Sequence, residues 1–197
     1  IEHHANTVPW QVLCDEKGAK LKVIPVADNG ELVMEEYDKL LSNKTRIVAV
    51  NHVSNALGTI NPVNEITRKA HAIGAKVLID GAQSTPHMKV DVQDIGCDFY
   101  TFSGHKMYAP SGIGGMFGKM ELMETMPPYV PGGDMIMQVT LEKTTYAKPP
   151  ARFEAGTPPI SQVIGLGAAI DYLNAIGMDK IFEYEKSLLD YGTRLLS

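Results

Sequence analysis

The sequence predicts an α/β fold in which a mostly parallel sheet is sandwiched by helices. Strand-like and helix-like segments alternate along the 197 residues, and the connections between most of them are short. Residues 46–53 form a nearly continuous apolar run, which is typical of a strand buried on both faces of a parallel sheet. In such sheets ligands bind beyond the carboxyl ends of the strands. Polar residues at those ends are therefore the first candidates for a functional site.

Apolar and β-branched runs predict five strands, each bounded by turn residues or by a helical segment. The predicted strands are residues 20–26, 46–53, 75–80, 98–103 and 114–118. The cluster Gly112-Ile113-Gly114-Gly115 is interpreted as a turn that leads into the last of them. A glycine cluster alone is weak evidence for a phosphate-binding loop.

Helical spacing of apolar residues predicts four helices. They cover residues 34–41, 61–74, 162–176 and 178–196. In the second, Asn61 is expected as the N-cap, Pro62 at the first helical position and Gly74 at the end. Residues 127–159 are rich in Pro and Gly and predict one long irregular segment. Such segments are usually functional or lie at an interface.

The composition argues against some classes of protein, such as nucleic-acid-binding and membrane-spanning proteins. Hydrophobic residues make up 44% and charged residues 21%, as in ordinary globular proteins. The net charge of −5 and the scattered Lys and Arg argue against a nucleic-acid partner. No apolar stretch approaches the roughly 18 residues that would span a membrane. The start at Ile1 has no signal-peptide pattern and no Met, so we expect a cytoplasmic protein and a piece of a longer chain.

Cys14 and Cys97 are far apart and form no paired motif. We expect two reduced thiols rather than a disulfide, and Cys97 as a small core residue. The histidines show no ligand-like spacing with the cysteines, so no metal site is predicted. A hydrolase elbow of the Gly-x-Ser-x-Gly type and a Gly-x-Gly-x-x-Gly nucleotide loop are both missing from the sequence.

Asp80 and Lys106 are the most informative pair. Asp80 ends a buried strand, and Lys106 follows the exit of another in Ser103-Gly104-His105-Lys106. A pyridoxal 5'-phosphate (PLP) site needs a lysine that forms a Schiff base and a carboxylate that keeps the pyridine nitrogen protonated. A lone Asp is more often a cap or turn residue, and a lone Lys is more often a solvated surface charge. The pairing of the two at strand ends favours the cofactor site.

Further polar residues fit the same site. Ser103 and His105 beside Lys106 are able to hold a phosphate dianion. Gln83 offers an amide to a ring substituent, and Asn55 could do the same, although taken alone Asn55 is better explained as a plain turn residue. The imidazole of His3 is suited to stacking on the ring or to proton transfer, and the spacing leaves the adjacent His4 open as an alternative.

In their order these motifs resemble the class V aminotransferase superfamily, fold type I of the PLP enzymes. They resemble most closely the cysteine desulfurases of the Suf iron–sulfur assembly system. The matching stretches are Glu-His-His-Ala-Asn at 2–6, His-Val-Ser-Asn at 52–55, Val-Leu-Ile-Asp-Gly-Ala-Gln at 77–83, Asp-Phe-Tyr at 98–100, Phe-Ser-Gly-His-Lys at 102–106 and Arg-Phe-Glu-Ala-Gly-Thr-Pro at 152–158.

The resemblance implies a role for each residue. Lys106 would be the Schiff-base lysine, and Asp80 would pair with the pyridine nitrogen. Gln83 and Asn55 would bond the ring oxygen, and His3 would stack on the ring and transfer protons. Ser103 and His105 would hold the phosphate. Thr157 would reach the partner's phosphate across a homodimer interface. The substrate would be L-cysteine, converted to L-alanine, and the sulfur would pass to an acceptor protein for iron–sulfur cluster assembly.

The resemblance also implies what the chain lacks. Residues 1–177 would be part of the PLP-binding large domain, and 178–197 a helix leading toward a small C-terminal domain. The nucleophilic cysteine, the arginine for the substrate carboxylate and an N-terminal phosphate loop would lie outside. We expect these residues alone to be inactive and to bind PLP weakly at best. A selenocysteine lyase, a sulfinate desulfinase, a kynureninase and a truncated scaffold or binding module remain as alternatives.

Overall fold

The computed structural model describes residues 1–196, and its centre is a four-stranded sheet with the order β1-β2-β3-β4. The strands are β1 Ile47–Asn51, β2 Lys76–Asp80, β3 Phe99–Ser103 and β4 Gly114–Gly118. The first three run parallel, and β4 runs antiparallel to β3. The predicted α/β class with a mostly parallel sheet is confirmed.

Seven α-helices lie in the described part of the chain. They are α1 Val8–Lys17, α2 Met34–Leu40, α3 Val63–Ala72, α4 Val92–Ile95, α5 Met120–Met123, α6 Ile160–Ile176 and α7 Met178–Leu196. The four predicted helices correspond to α2, α3, α6 and α7, so their existence is confirmed. The sequence interpretation missed α1 and the two single-turn helices α4 and α5. Short 3-10 helices add His4–Asn6, Gly104–Met107 and Ala151–Phe153.

The hydrophobic core lies on one face of the sheet. Alternate residues of a strand point to opposite faces, and Val77 and Ile79 of β2 are fully buried against α3. Tyr37 of α2 closes this layer, and its hydroxyl donates a hydrogen bond to the carbonyl of Ile66 at 2.9 Å. Cys97 is buried in the same cluster, and Cys14 is likewise unpaired. The expectation of two free thiols, with Cys97 in the core, is confirmed.

The buried carboxylate of Asp98 holds the amino end of β2 in place. Its Oδ2 accepts the backbone N–H of Val77 at 2.7 Å and contacts His71 Nε2 at 2.8 Å. Lys119 Nζ lies 3.3 Å from Oδ1. Burial by itself would raise the pKa of Asp98, but the hydrogen bonds from His71 and Val77 and the charge of Lys119 outweigh it, and the pKa falls below its ordinary value.

The predicted strand at 20–26 is wrong. Its one ladder contact is a single bridge between Val26 and Leu32, and Leu21 and Val23 are exposed. Alternating apolar residues favour an extended chain, but a strand also needs a neighbour with free N–H and C=O groups. This segment meets such a neighbour only at its carboxyl end, opposite Leu32, so most of the pattern does not become a strand.

Two further expectations need correction. The helix α3 begins at Val63 with Pro62 at its cap position, and Asn61 does not cap it. The Asn61 amide instead donates to the backbone carbonyl of Asn51 at 2.9 Å, because it lies beside the end of β1. Residues 127–159 are also not wholly irregular, since β5 Ile136–Val139 and β6 Thr144–Tyr146 pair as an antiparallel hairpin.

Candidate functional site

A cavity of about 460 Å³ lies at the carboxyl ends of β2 and β3, on the face of the sheet opposite the core. Its size is in the range of small-molecule and cofactor sites. Five of the predicted site residues line it, namely His3, Asp80, Ser103, His105 and Lys106. Carboxylate, amine, imidazole and hydroxyl groups from three separate segments therefore share one cavity.

Asp80 is the last residue of β2 and is half-buried. It pairs in register with Asn51 on one side and with Thr101 on the other. Leu78 and Thr101 line the cavity together with Asp80 because residues two apart on a strand, and residues paired across strands, share a face. The backbone N–H of Ala82 donates to Asp80 Oδ1 at 3.0 Å and fixes the direction of the carboxylate.

Lys106 lies in the 3-10 helix Gly104–Met107 directly after β3. Its amine makes no hydrogen bond or ion pair within residues 1–196, so it is available to a ligand in the cavity. The backbone passes so close to Ile113 that a Cβ at Gly104 would lie 2.7 Å from Ile113 Cγ2, which explains the glycine before His105. The helix ends at Tyr108, whose φ of 66° is left-handed. That turn brings the N–H of Ala109 within 3.0 Å of the Gly104 carbonyl.

His3 reaches the cavity from the segment before α1. Its Nδ1 accepts the N–H of Ala5 at 3.1 Å and so caps the short helix His4–Asn6. In the neutral imidazole this places the proton on Nε2. Of the two adjacent histidines, His3 lines the cavity and His4 is not among its lining residues.

Glu2 ties the same segment to the sheet. One oxygen accepts the N–H of Asn51 at 2.9 Å, and the other accepts the amide of Asn6 at 2.7 Å. Burial raises the pKa of Glu2, while the two hydrogen bonds act in the opposite direction. The Asn6 carbonyl oxygen in turn accepts the indole N–H of Trp10 at 3.1 Å, which holds that ring at the cavity wall.

Three of the predicted residues do not line the cavity. Asn55 lies exposed in the turn after β1, Gln83 is half-buried in the turn after Asp80, and Thr157 is exposed in the loop before α6. Their assigned roles stay predictions.

The cavity also contains residues that the sequence interpretation missed. The residues not anticipated are Ala5, Asn6, Pro9, Trp10, Leu78, Ala82, Thr101 and Phe102. For Leu78 and Thr101 a signal was available, because each lies two positions before a predicted site residue on its strand. The wall formed by Pro9 and Trp10 had no such signal, since α1 itself was missed.

Within residues 1–196, no group of three or more His, Cys, Asp or Glu side chains is arranged to hold a metal ion. None of the helices in that range is both long and apolar enough to cross a membrane.

Comparisons with known proteins give one answer. Residues 1–197 match the family Aminotransferase class-V. A cysteine desulfurase of Dickeya dadantii (strain 3937) is 56% identical over 198 residues, which cover 100% of this chain and 48% of the relative. The chain spans about half the length of most of the curated relatives it matches.

Solved structures agree with the sequence match. The cysteine desulfurase CsdA (S-sulfonic acid) from Escherichia coli superposes with a TM-score of 0.96 at 37% identity, covering 99% of this chain and 49% of that one. The apo cysteine desulfurase from Thermococcus onnurineus NA1 gives a TM-score of 0.94 at 41% identity, covering 98% of this chain and 48% of that one.

Proposed function

Because the chain belongs to the class V aminotransferase family, we propose that it forms the cofactor-binding part of a PLP-dependent cysteine desulfurase. The observation that carries the proposal is that Asp80 and Lys106, from the ends of neighbouring strands, line one cavity. The reaction would convert L-cysteine to L-alanine and leave the sulfur on the enzyme as a persulfide.

The residues present fit PLP by their chemistry. The cavity combines an amine without an ion-pair partner, a carboxylate of fixed direction, an imidazole, and a hydroxyl beside a second imidazole. These are the groups that an aldehyde, a pyridine nitrogen, an aromatic ring face and a phosphate require. Bound PLP supplies an electron sink for a carbanion on an amino acid.

The chain's own residues would act as follows. Lys106 would hold the cofactor covalently, and its amine would move a proton at the substrate Cα. Asp80 would keep the pyridine nitrogen protonated. His3 would stack on the ring, and Ser103 and His105 would donate to the phosphate.

The remaining assignments rest on family resemblance. Gln83 and Asn55 would bond the ring oxygen, and Thr157 would contact the phosphate of a partner subunit in a homodimer. A Suf-type role in the cytoplasm, with transfer of sulfur to an acceptor protein for iron–sulfur cluster assembly, completes the proposal. The nucleophilic cysteine would lie outside these residues, because neither Cys14 nor Cys97 lines the cavity. Cys97 is also buried in the core, and its thiol pKa is raised to about 11 by burial and the nearby Asp98.

Replacing Lys106 tests the proposal in the natural gene product that carries this chain. Lys106→Ala should abolish the visible absorbance of lysine-bound PLP and the PLP adduct seen by mass spectrometry after borohydride reduction. Alanine release from L-cysteine should fall by about 10²- to 10⁴-fold, the usual contribution of acid–base catalysis, or further. The exposed Lys143→Ala is the matched control and should behave as wild type. Retained adduct and turnover in Lys106→Ala would refute the assignment.

A second experiment uses the 197 residues alone. We expect no alanine or sulfide from L-cysteine, because the thiol that accepts sulfur would be missing. Measurable, PLP-dependent turnover by this chain would show that the sulfur acceptor lies within it.

A further inference from the structure

Three buried polar side chains contact one another on the core side of the sheet, beneath the turn that follows Asp80. Tyr100 Oη lies 3.0 Å from His52 Nδ1 and 2.5 Å from Ser84 Oγ. The exposed fractions of His52, Tyr100 and Ser84 are 6%, 2% and 0%. Because residues two apart share a face, this cluster lies behind the strand end whose front carries Asp80.

The direction of these hydrogen bonds follows once the serine proton is assigned. Ser84 Oγ lies 3.1 Å from the carbonyl of Gly81, which also accepts the hydroxyl of Thr85 at 3.0 Å, and we assign the serine proton to that carbonyl. With this assignment Ser84 accepts the single proton of Tyr100. With its own proton committed, Tyr100 can only accept from His52. The hydrogen bonds therefore run in one direction, from His52 Nδ1–H through Tyr100 and Ser84 to the Gly81 carbonyl.

The charge states of the two ring groups are consistent with that order. Burial lowers the pKa of His52 to about 4, so its imidazole is neutral at pH 7 and carries one proton, assigned here to Nδ1. Burial also raises the pKa of Tyr100 well above its ordinary value, so its phenol is protonated at pH 7. Its phenol keeps the proton that it donates.

This series of hydrogen bonds ends at Gly81, the residue next to Asp80. The Gly81 N–H donates to the Thr101 carbonyl at 2.8 Å, and its carbonyl also accepts the N–H groups of Ser84 and Thr85, both at 3.1 Å. A Cβ at Gly81 would overlap the Tyr100 ring, so the turn rests directly on that ring. The same turn presents the Ala82 N–H to Asp80 Oδ1.

We propose that His52, Tyr100 and Ser84 are positioning residues of the cofactor site, which hold the Gly81 turn and thereby the Asp80 carboxylate in the direction that meets the pyridine nitrogen. The inference rests on the proposed function for the identity of the ligand. None of the three lines the cavity, so they act through Asp80 and not on the cofactor itself.

A substitution series at position 52 separates positioning from packing. The side-chain amide of Asn places a donor near the position of His Nδ1, whereas Leu fills a similar volume without a donor. His52→Leu should weaken PLP binding about tenfold, the scale of one misdirected hydrogen bond to a charged group. His52→Asn should restore binding to within about twofold of wild type, because the donor at the start of the chain returns.

Tyr100→Phe has a matched control elsewhere in the core. Tyr37 is equally buried, and its hydroxyl donates one hydrogen bond to a backbone carbonyl on α3. Both Phe variants should lose stability in denaturant unfolding. Only Tyr100→Phe should also weaken PLP binding, by about fivefold to tenfold, and shift the pH at which the visible band of the bound cofactor changes.

The proton order has its own test in the wild-type protein without added PLP. The ¹⁵N chemical shifts of the His52 ring distinguish protonation at Nδ1 from protonation at Nε2. We expect a neutral ring protonated at Nδ1 between pH 6 and 8, the range above its lowered pKa. Protonation at Nε2 would contradict this order of hydrogen bonds.

The binding experiment is made on the natural gene product that carries this chain, and it has three informative outcomes. Weaker binding in His52→Leu and Tyr100→Phe, with recovery in His52→Asn and no change in Tyr37→Phe, supports the inference. Equal PLP affinity in all variants, with normal binding by wild type, overturns it and leaves the proposed function standing. Failure of wild type to bind PLP overturns the proposed function, and with it this inference.

Discussion

Replacing Asp98 should destabilise the fold without touching the cavity. Asp98 is 2% exposed and does not line the cavity, yet it joins α3, the start of β2 and the residue that follows β4. Asp98→Asn keeps an oxygen for Val77 N–H and for His71 but removes the charge, so these two charge-assisted hydrogen bonds become neutral ones and the ion pair with Lys119 is lost. The difference is about 1 kcal/mol for each bond, or about 2 kcal/mol in total. Asp98→Ala also leaves Lys119 without its buried partner and should cost about 3–5 kcal/mol.

The assay is equilibrium unfolding in urea at constant pH, with unfolding free energies compared between variants. Asp190→Asn is the control, because Asp190 lies exposed on α7 and pairs only with Lys186, four residues before it. A surface pair of this kind contributes less than about 0.5 kcal/mol. If Asp98→Asn is within that margin of wild type, the buried charge does not stabilise the fold as argued.

The same variant makes a pH prediction. The folded-state pKa of Asp98 lies below its ordinary value of 3.8, so its contribution is complete above the unfolded-state pKa. That contribution declines as the pH falls below about 3.8 and is lost once the pH passes through the folded-state pKa. The stability difference between wild type and Asp98→Asn should therefore be constant near neutral pH and shrink in acid. A difference that grows in acid would contradict the sign of the shift.

Two shorter predictions concern other buried positions. Cys97 is fully buried with a thiol pKa of about 11, so iodoacetamide at pH 8 should modify the half-buried Cys14 and spare Cys97 until the protein is unfolded in urea. Peptide mass spectrometry measures the rate at which each thiol is modified. Equal rates for both thiols in the folded protein would contradict the burial of Cys97. Gly81→Ala should lower the free energy of unfolding by about 1–3 kcal/mol or more, because its Cβ would overlap the Tyr100 ring. A wild-type unfolding midpoint in that variant would show that the turn does not rest on Tyr100.

The sequence predicts best where local pattern and tertiary environment agree. The strands 46–53, 75–80 and 98–103 carry apolar residues that pack in the core, and each corresponds to an observed strand within three residues at either end. Placing candidate residues at the ends of these strands predicts that Asp80 and Ser103 lie close together, since neighbouring parallel strands end at the same edge. The structure puts both at one cavity, with Lys106 following directly.

The misses have a common physical cause. At 20–26 the alternating pattern is present, but whether a partner strand lies beside it depends on the tertiary structure, which the pattern does not report. The helix α1 carries exposed Val8, Val12 and Leu13 and buries no residue fully, so it lacks the one-sided apolar stripe that identifies a helix. Trp10 at the cavity wall was missed for the same reason.

The cluster behind Asp80 shows why a site is harder to predict than the strands that carry it. The chemistry-bearing residue is recognisable because it ends a strand, but its direction depends on contacts that span 48 positions between His52 and Tyr100 and 16 between Ser84 and Tyr100. A strand end presents one face to the ligand and the other to the core, so the core side is free to hold the turn rigidly. Asp80 on the front and Tyr100 on the back are one unit, joined by the single residue Gly81. A change on one face should therefore alter the geometry of the other, and the series at position 52 measures that coupling through PLP binding.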